Sequence, residues 1–459
     1  MSNAFRQRLT LVLVTAGMGL ALWSWRQGGL DREPIGVVLI TLDTTRADRL
    51  SPYGLMDVSM PHLERLAREG VVFDQASSVA PLTLPAHSSI FTGLFPAAHG
   101  VRDNADRPLG AEHTTLAEML EAEEFETGAF VGSAVLDPER GLQQGFKEYS
   151  GVAATTLKGR TTTTTLKGRT TPDARQRRAD EVVNEATRWI EGLRGSGFFL
   201  WTHLYDPHRP YDPPEPFRSR HFDPYIGEIA FVDSQIGRLL DALERRGLLD
   251  RTLVIVAGDH GESLGDHGER DHGIFLYESV LRVPLIIRGP GIAPRRVGDV
   301  VRLVDVMPTI LEVLNLPVPA MDGVSLVSVM HGTRGVDLEV VAESMYPLRF
   351  GWSPLRALRG GRYKLIDAPR PELYDLERDP FETRNIFEDR RALAGAMKAR
   401  LDVLTDHRDA RRGADAEVVP ARLRDDLAAL GYVSGSPMRM SDRQTNLPDP
   451  KDRIGLVPR

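Results

Sequence analysis

The most constraining feature of this chain is a set of short, nearly continuous apolar runs that each close on an acid or a histidine. Ile35–Leu42 reads IGVVLITL and stops at Asp43. Phe198–Thr202 reads FFLWT and leads into His203-Leu204-Tyr205-Asp206-Pro207-His208. Thr252–Ala257 reads TLVIVA and runs into Gly258-Asp259-His260. Unbroken hydrophobicity over one strand length means that both faces are covered, as in a parallel sheet packed by helices. Thr127–Val131 and Val283–Ile287 read as further strands, and amphipathic patterns over Pro61–Gly70, Thr114–Glu123, Asp180–Leu193 and Asp223–Arg246 predict the helices between them. The fold class expected is therefore α/β, a large, mostly parallel sheet sandwiched by helices. In such sheets ligands sit beyond the carboxyl ends of the strands, which is where the polar residues fall. For Asp43 alone, the Asp-Thr-Thr that it begins allows a cap on the following turn as an equal reading.

A second stretch, TLPAHSSIFTGLFPAAHGVRDN from Thr83 to Asn104, is organised around an alcohol. Pro85 suits the first turn of a helix, which sets Thr83 at a helix N-terminus, where unpaired N–H groups and the dipole favour an anion. A hydroxyl there is a candidate nucleophile once its pKa is lowered. Asp43, Asp206, Asp259, His208, His260 and His272 form a carboxylate and imidazole set suited to zinc first, with manganese, magnesium or calcium as alternatives. A divalent cation on Thr83 would acidify its hydroxyl without a neighbouring base. His87 and His99 read as structural hydrogen bonders, and Arg46 as the partner of a carboxylate near the metal. Glu262, Asp266 and Glu269 read as solvated loop charges, with Asp271 available to orient His272.

From about Val336 the texture shifts to short strands (Ala357-Leu358, Tyr363–Asp367) and a helix at Arg390–Thr405, a smaller C-terminal α+β subdomain. The expected division is a signal-anchor and linker over 1–30, a catalytic domain over 31–335, the small subdomain over 336–406 and a charged, proline-rich tail over 407–459, its end resembling the approach to a further module. Leu9–Trp25 is mostly apolar, flanked by Arg6, Arg8 and Arg26, and about 26 Å long as a helix. It reads as an uncleaved signal-anchor holding an exported catalytic domain at a membrane, with cleavage and secretion as the alternative. The octet TTLKGRTT, at 155–162 and again at 164–171, reads as an expanded surface loop without catalytic importance. A net charge of −7 offers no basic field for nucleic acid, so no such partner is expected. Cysteine is absent.

Asp43, Thr83 and Asp259-His260, together with TLVIVAGDHGE (252–262), VPLIIRGPG (283–291) and PELYDLERDPFETRN (371–385), resemble the sulfatase branch of the alkaline phosphatase superfamily over residues 35–390. That resemblance implies an alkaline-phosphatase-like fold, a divalent metal and ester hydrolysis. Sulfatases proper carry Cys or Ser, matured to formylglycine, in the pattern C/S-x-P-S/A-R. Here the segment is Thr83-Leu84-Pro85-Ala86-His87; threonine cannot be matured in that way, and Ser133 and His272 stand where lysines are expected. The T-x-P-x-H…T-G…P-x-x-H-G-x-x-x-N pattern (Thr83, Pro85, His87, Thr92, Gly93, Pro96, His99, Gly100, Asn104) is similar to nucleotide pyrophosphatase/phosphodiesterases. That similarity implies a threonine nucleophile, Asn104 on a phosphoryl oxygen, one zinc site of Asp43, Thr83, Asp259 and His260, and a second of Asp206, His208 and His272. The Asp206-to-His208 spacing is shorter than in that group, so His208 contacting substrate is the alternative.

The activity this implies is hydrolysis of phosphate mono- or diesters through a phospho-Thr83 intermediate, on a small-molecule or envelope ester. Sulfuric ester hydrolysis is the alternative, followed by head-group transfer at the envelope and by a non-catalytic binding protein.

Overall fold

The computed structural model describes residues 35–56, 58–152, 155–157, 160–162, 176–195, 197–409 and 447–457. Ten strands build the main sheet: β1 (Gly36–Leu42), β2 (Val71–Ser77), β3 (Glu126–Val131), β4 (Glu148–Ser150), β5 (Thr155–Leu157), β6 (Arg160–Thr162), β7 (Phe198–Leu204), β8 (Thr252–Gly258), β9 (Leu285–Arg288) and β10 (Arg295–Arg302). Their order is β10-β2-β9-β8-β1-β7-β3-β4-β5-β6. β7, β1 and β8 are parallel neighbours at the centre, and β9 and β5 run against the rest. The expected α/β architecture is the one found.

Period-two alternation sorts the central strands between two cores. Val37, Leu39, Phe199, Trp201, Leu253 and Ile255 enter one hydrophobic cluster; Val38, Ile40, Phe198, Leu200, Val254 and Val256 enter the other. Helices α1 (Pro61–Glu69), α4 (Ala179–Gly192) and α5 (Pro224–Arg245) cover the second face. Helices α2 (Thr83–Thr92), α3 (Leu116–Ala122) and α6 (Val306–Val313) cover the first. Thr115 caps α3 in a capping box with Glu118, and Asp223 caps α5.

A four-stranded antiparallel sheet of β11 (Val340–Ser344), β12 (Leu355–Arg359), β13 (Tyr363–Asp367) and β14 (Glu372–Asp375) follows, with helix α7 (Arg391–Asp409) against it. The lobes share apolar interior: Ala342, Leu355, Ala357 and Ile366 belong to the main cluster, and Val341, Leu358 and Leu401 join Val79, Phe95 and Val304. The boundary near residue 335 thus marks a change of sheet rather than a break in the core.

Within the tail expected to be a linker, residues 447–457 pack on the body. Ser353 N donates to Pro448 O at 2.9 Å, Arg370 N to Asp449 Oδ2 at 2.9 Å, and Lys451 Nζ to Glu372 Oε1 at 2.6 Å. The first TTLKGRTT copy is not a loop throughout. Its Thr155–Leu157 and Arg160–Thr162 extend the sheet edge as an antiparallel pair, because β-branched threonine suits a pleated strand beside β4. The second copy and the apolar stretch Leu9–Trp25 lie outside the described residues. Among the described residues no helix is long and apolar enough to cross a membrane.

Candidate active site

Register creates the site. β1 pairs Leu42 with Leu204 on β7 and with Gly258 on β8, so the next residues emerge side by side at one sheet edge. Asp43 N donates to Leu204 O at 3.0 Å, and Asp259 N to Leu42 O at 3.2 Å. Positions 41, 43, 203 and 259 continue the parity of Leu39, Trp201 and Ile255, which face α2. Thr44, β-branched and buried, turns the chain after Asp43 at φ +48°, a conformation that costs on the order of 1–3 kcal/mol and that clusters at functional sites.

From the opposite side α2 presents Thr83 in its first turn, and the helix closes on Gly93 at φ +66°. Thr83 Oγ1 lies 3.2 Å from His260 Nε2. His260 Nε2 is 3.6 Å from Asp43 Oδ1 and 3.6 Å from Asp259 Oδ2. Asp43, Asp259 and His260 bring donor atoms within 4.8 Å of one another. All four residues are buried, and among the described residues Asp43 Oδ1, Asp43 Oδ2 and Asp259 Oδ2 have no hydrogen-bond partner. The turn-cap reading of Asp43 fails on that observation.

Buried carboxylate oxygens without partners cost several kcal/mol unless a cation takes them. Ligands about 2.1 Å from a shared tetrahedral cation lie about 3.4 Å apart, close to the separations seen. The residues therefore fit a divalent metal. Burial opposes ionisation of Asp43, but His203, His208 and His260 hold its carboxyl below the usual carboxylate range. Burial and the adjacent Asp43 push Asp259 well above that range. Burial and His272 keep His260 neutral, the state in which imidazole binds a metal.

Among the described residues, Asp206, His208 and His272, expected as a second metal site, do not form one close donor group. Asp206 is drawn to the start of α4, where its Oδ2 accepts from Ala179 N at 2.8 Å and its Oδ1 lies 3.9 Å from Arg178 Nη2. His208 stacks on Tyr205 at 4.5 Å, with Nδ1 within 2.7 Å of both Tyr205 Oη and Arg209 O. His208 and His260 flank His272, at ring separations of 5.2 and 4.5 Å. His272 Nδ1 lies 3.1 Å from Glu262 Oε1. Burial disfavours its charge, but Glu262 overrides this and raises its pKa to about 9.

Asn104 is buried under α2. Its Oδ1 accepts from Leu84 N at 2.9 Å, and its Nδ2 has no partner among the described residues. His87 is held at both ring nitrogens, Nδ1 on Thr83 O at 2.8 Å and Nε2 on Thr41 Oγ1 at 2.9 Å, in line with its structural role. Arg46 pairs with Asp48 and Asp266. Glu262 and Glu269 are not solvated: both are buried, Glu262 on His272 and Tyr211, Glu269 on Ser263 and the Ile274 N–H. Asp271 binds Arg209, and its charge also acts on His272.

Sequence reasoning missed Glu262 and His203. His203 is fully buried, with Nε2 3.4 Å from Asp43 Oδ2. Strand parity was the available signal, since His203 is in register with Thr41 and faces α2 as Asp43 does.

Comparison with known proteins bears on this arrangement. A family model described as "Sulfatase" matches residues 36–316, and one described as "N-sulphoglucosamine sulphohydrolase, C-terminal" matches residues 265–407. A choline-sulfatase of Rhizobium meliloti is 36% identical over 219 residues, covering 46% of this chain and 40% of that protein. The chain thus spans less than half the length of that relative. The uncharacterized sulfatase YidJ of Escherichia coli is 26% identical over 438 residues, covering 81% of this chain and 86% of its own length. The crystal structure of a phosphonate monoester hydrolase of Agrobacterium radiobacter superposes with a TM-score of 0.68 at 24% identity, over 82% of this chain and 96% of that one, a likeness of fold.

Proposed function

The chain belongs to the sulfatase family and is an ester hydrolase, and from that premise we propose that it cleaves a sulfuric or phosphoric ester with Thr83 as nucleophile. One observation carries the reading: the Thr83 hydroxyl sits 3.2 Å from His260 beside the unpartnered oxygens of Asp43 and Asp259. The relatives' names support a sulfuric ester as the first reading. A phosphoric ester, mono- or diester, is the second, and the alcohol nucleophile favours it.

Asp43, Thr83, Asp259 and His260 would hold a divalent cation, zinc first. Bound there, it would supply Lewis acidity, lowering the Thr83 pKa and polarising the ester. Thr83 Oγ, its proton lost to solvent, attacks sulfur or phosphorus in line, and the bond to the departing alcohol breaks. Asn104 Nδ2 donates to a non-bridging oxygen, and the charged His272 balances the anion. His208, whose Nδ1 is occupied, has Nε2 to hold a proton for the leaving oxygen. Water then cleaves the Thr83 ester, releasing sulfate or phosphate and restoring the hydroxyl.

The test is hydrolysis of p-nitrophenyl sulfate, p-nitrophenyl phosphate and bis-p-nitrophenyl phosphate, with added Zn²⁺ or Mn²⁺ and with chelator. Chelator-sensitive turnover, lost in Thr83→Ala, is the expected outcome. Preference for the sulfate selects the first reading and preference for either phosphate the second; no turnover on all three overturns the proposal. Export belongs to the same reading, with residues 1–30 cleaved or retained, and N-terminal sequencing of the mature protein distinguishes the two.

A further inference from the structure

We propose that the cavity beside His208 is the subsite for the departing alcohol, and that the alcohol it takes carries a protonated amine held by Glu228. The inference rests on the ester-hydrolase reading above and names a substrate class for the same site.

Glu228 lies one turn into α5 and is only 3% exposed. Its Oε1 accepts from Asp212 N at 2.7 Å. Its Oε2 has no hydrogen-bond partner among the described residues, a rare state for a buried carboxyl. Glu228 lines a cavity of about 170 Å³, shared with Tyr205, Asp206 and His208. The His208 ring is 5.2 Å from His272, which is 4.5 Å from His260, so His208 stands between this cavity and the Thr83 site. An alcohol leaving past His208 enters the cavity.

The charges along its walls leave one carboxyl over. Arg177 Nη2 pairs with Glu185 Oε2 at 2.9 Å, and Asp212 pairs with Arg218. Arg178 is shared between Asp206 Oδ1 and Asp180 Oδ1, each at 3.9 Å, with its guanidinium over the Phe231 ring at 5.0 Å. Glu228 forms no ion pair among the described residues. Burial and the neighbouring Asp206 push its carboxyl up to about 9, as expected of an acid that no counter-ion faces. An ammonium group supplies both missing elements, an N–H for Oε2 and a positive charge. A neutral hydroxyl supplies only the first, and an anion is repelled.

The experiment measures preference. Zinc-loaded full-length protein is assayed with 2-aminoethyl sulfate and 2-aminoethyl phosphate against the isosteric propyl esters, by release of the inorganic anion, with the p-nitrophenyl esters alongside. The ratio of kcat/KM for the aminoethyl over the propyl ester is compared with that of Glu228→Gln, which keeps the acceptor for Asp212 N and cancels the amine's own effect on the leaving group. The wild-type ratio is expected to be larger by about tenfold or more, the worth of one charge-assisted hydrogen bond. Turnover of p-nitrophenyl esters with no aminoethyl preference, or with a preference unchanged in Glu228→Gln, overturns the amine subsite and leaves the ester hydrolase standing. No turnover of any ester overturns both. Should Glu228→Gln fail to fold, competition decides: inhibition of wild-type p-nitrophenyl ester turnover by 2-aminoethanol but not by propanol supports the subsite, and no difference between the two overturns it.

Discussion

Thr83, with its hydroxyl beside a neutral imidazole and two bare carboxylates, is set up for one chemical task. Thr83→Ala is expected to lower kcat by about 10³-fold or more while zinc content stays within one ion of the wild type, measured by steady-state assay and elemental analysis. Thr83→Ser, which keeps the hydroxyl, should retain part of the activity. A second prediction concerns Glu262 and His272. His272 is raised from 6.5 to about 9 in the fold, so this pair contributes stability in full below pH 6.5 and loses it as pH rises through about 9. In metal-free protein, Glu262→Gln should therefore destabilise by roughly 3 kcal/mol at pH 6 and by much less at pH 10, read from urea unfolding at both values. An equal loss at both pH values would mean that Glu262 acts through packing alone. At this scale sequence reasoning named Thr83, Asp43, Asp259 and His260, because each follows an apolar strand or opens a helix. It misjudged Glu262 and Asp206, because whether a carboxylate meets water, a helix N-terminus or an imidazole depends on elements distant in sequence.

The elements that aim these groups are β1, β7, β8 and α2. Strand alternation and a proline-started helix are local patterns, so their existence and type were legible. The sharp end of α2 depends on Gly93, at φ +66°, where an added Cβ would meet Met321 Sδ at 2.3 Å. Gly93→Ala should cost about 1–2 kcal/mol, measured by denaturant unfolding, and should lower activity by displacing Thr83 at the far end of the same helix. A change below about 0.3 kcal/mol would show that the helix end yields without strain. Register was not legible: a shift of one residue between β1 and β7 would send His203 to the opposite face. For the same reason the first TTLKGRTT copy, polar and repetitive, gave no sign that it would find a partner strand at the sheet edge.

Across the whole molecule, the two lobes are joined by common apolar clusters, and the segment 447–457 is pinned to the small lobe by backbone hydrogen bonds and the Lys451–Glu372 pair. Deleting residues 447–459 is expected to cost about 1–3 kcal/mol in urea unfolding without changing the zinc count. Metal removal should act more broadly. Stripping with chelator is expected to lower Tm by roughly 5 °C or more, restored by Zn²⁺, because a ligand held only by the native state stabilises by mass action. No shift on stripping would count against Asp43 and Asp259 as a cation site. What this sequence determined by itself is the class of fold and the chemical type of the site, since hydrophobic periodicity and the residues that end each strand are properties of contiguous segments. What only the tertiary structure decided is which of those residues meet. Asp206 goes to a helix N-terminus, Glu262 to His272, and His203 to the back of Asp43, because strand register and helix docking set distances between residues far apart in the chain.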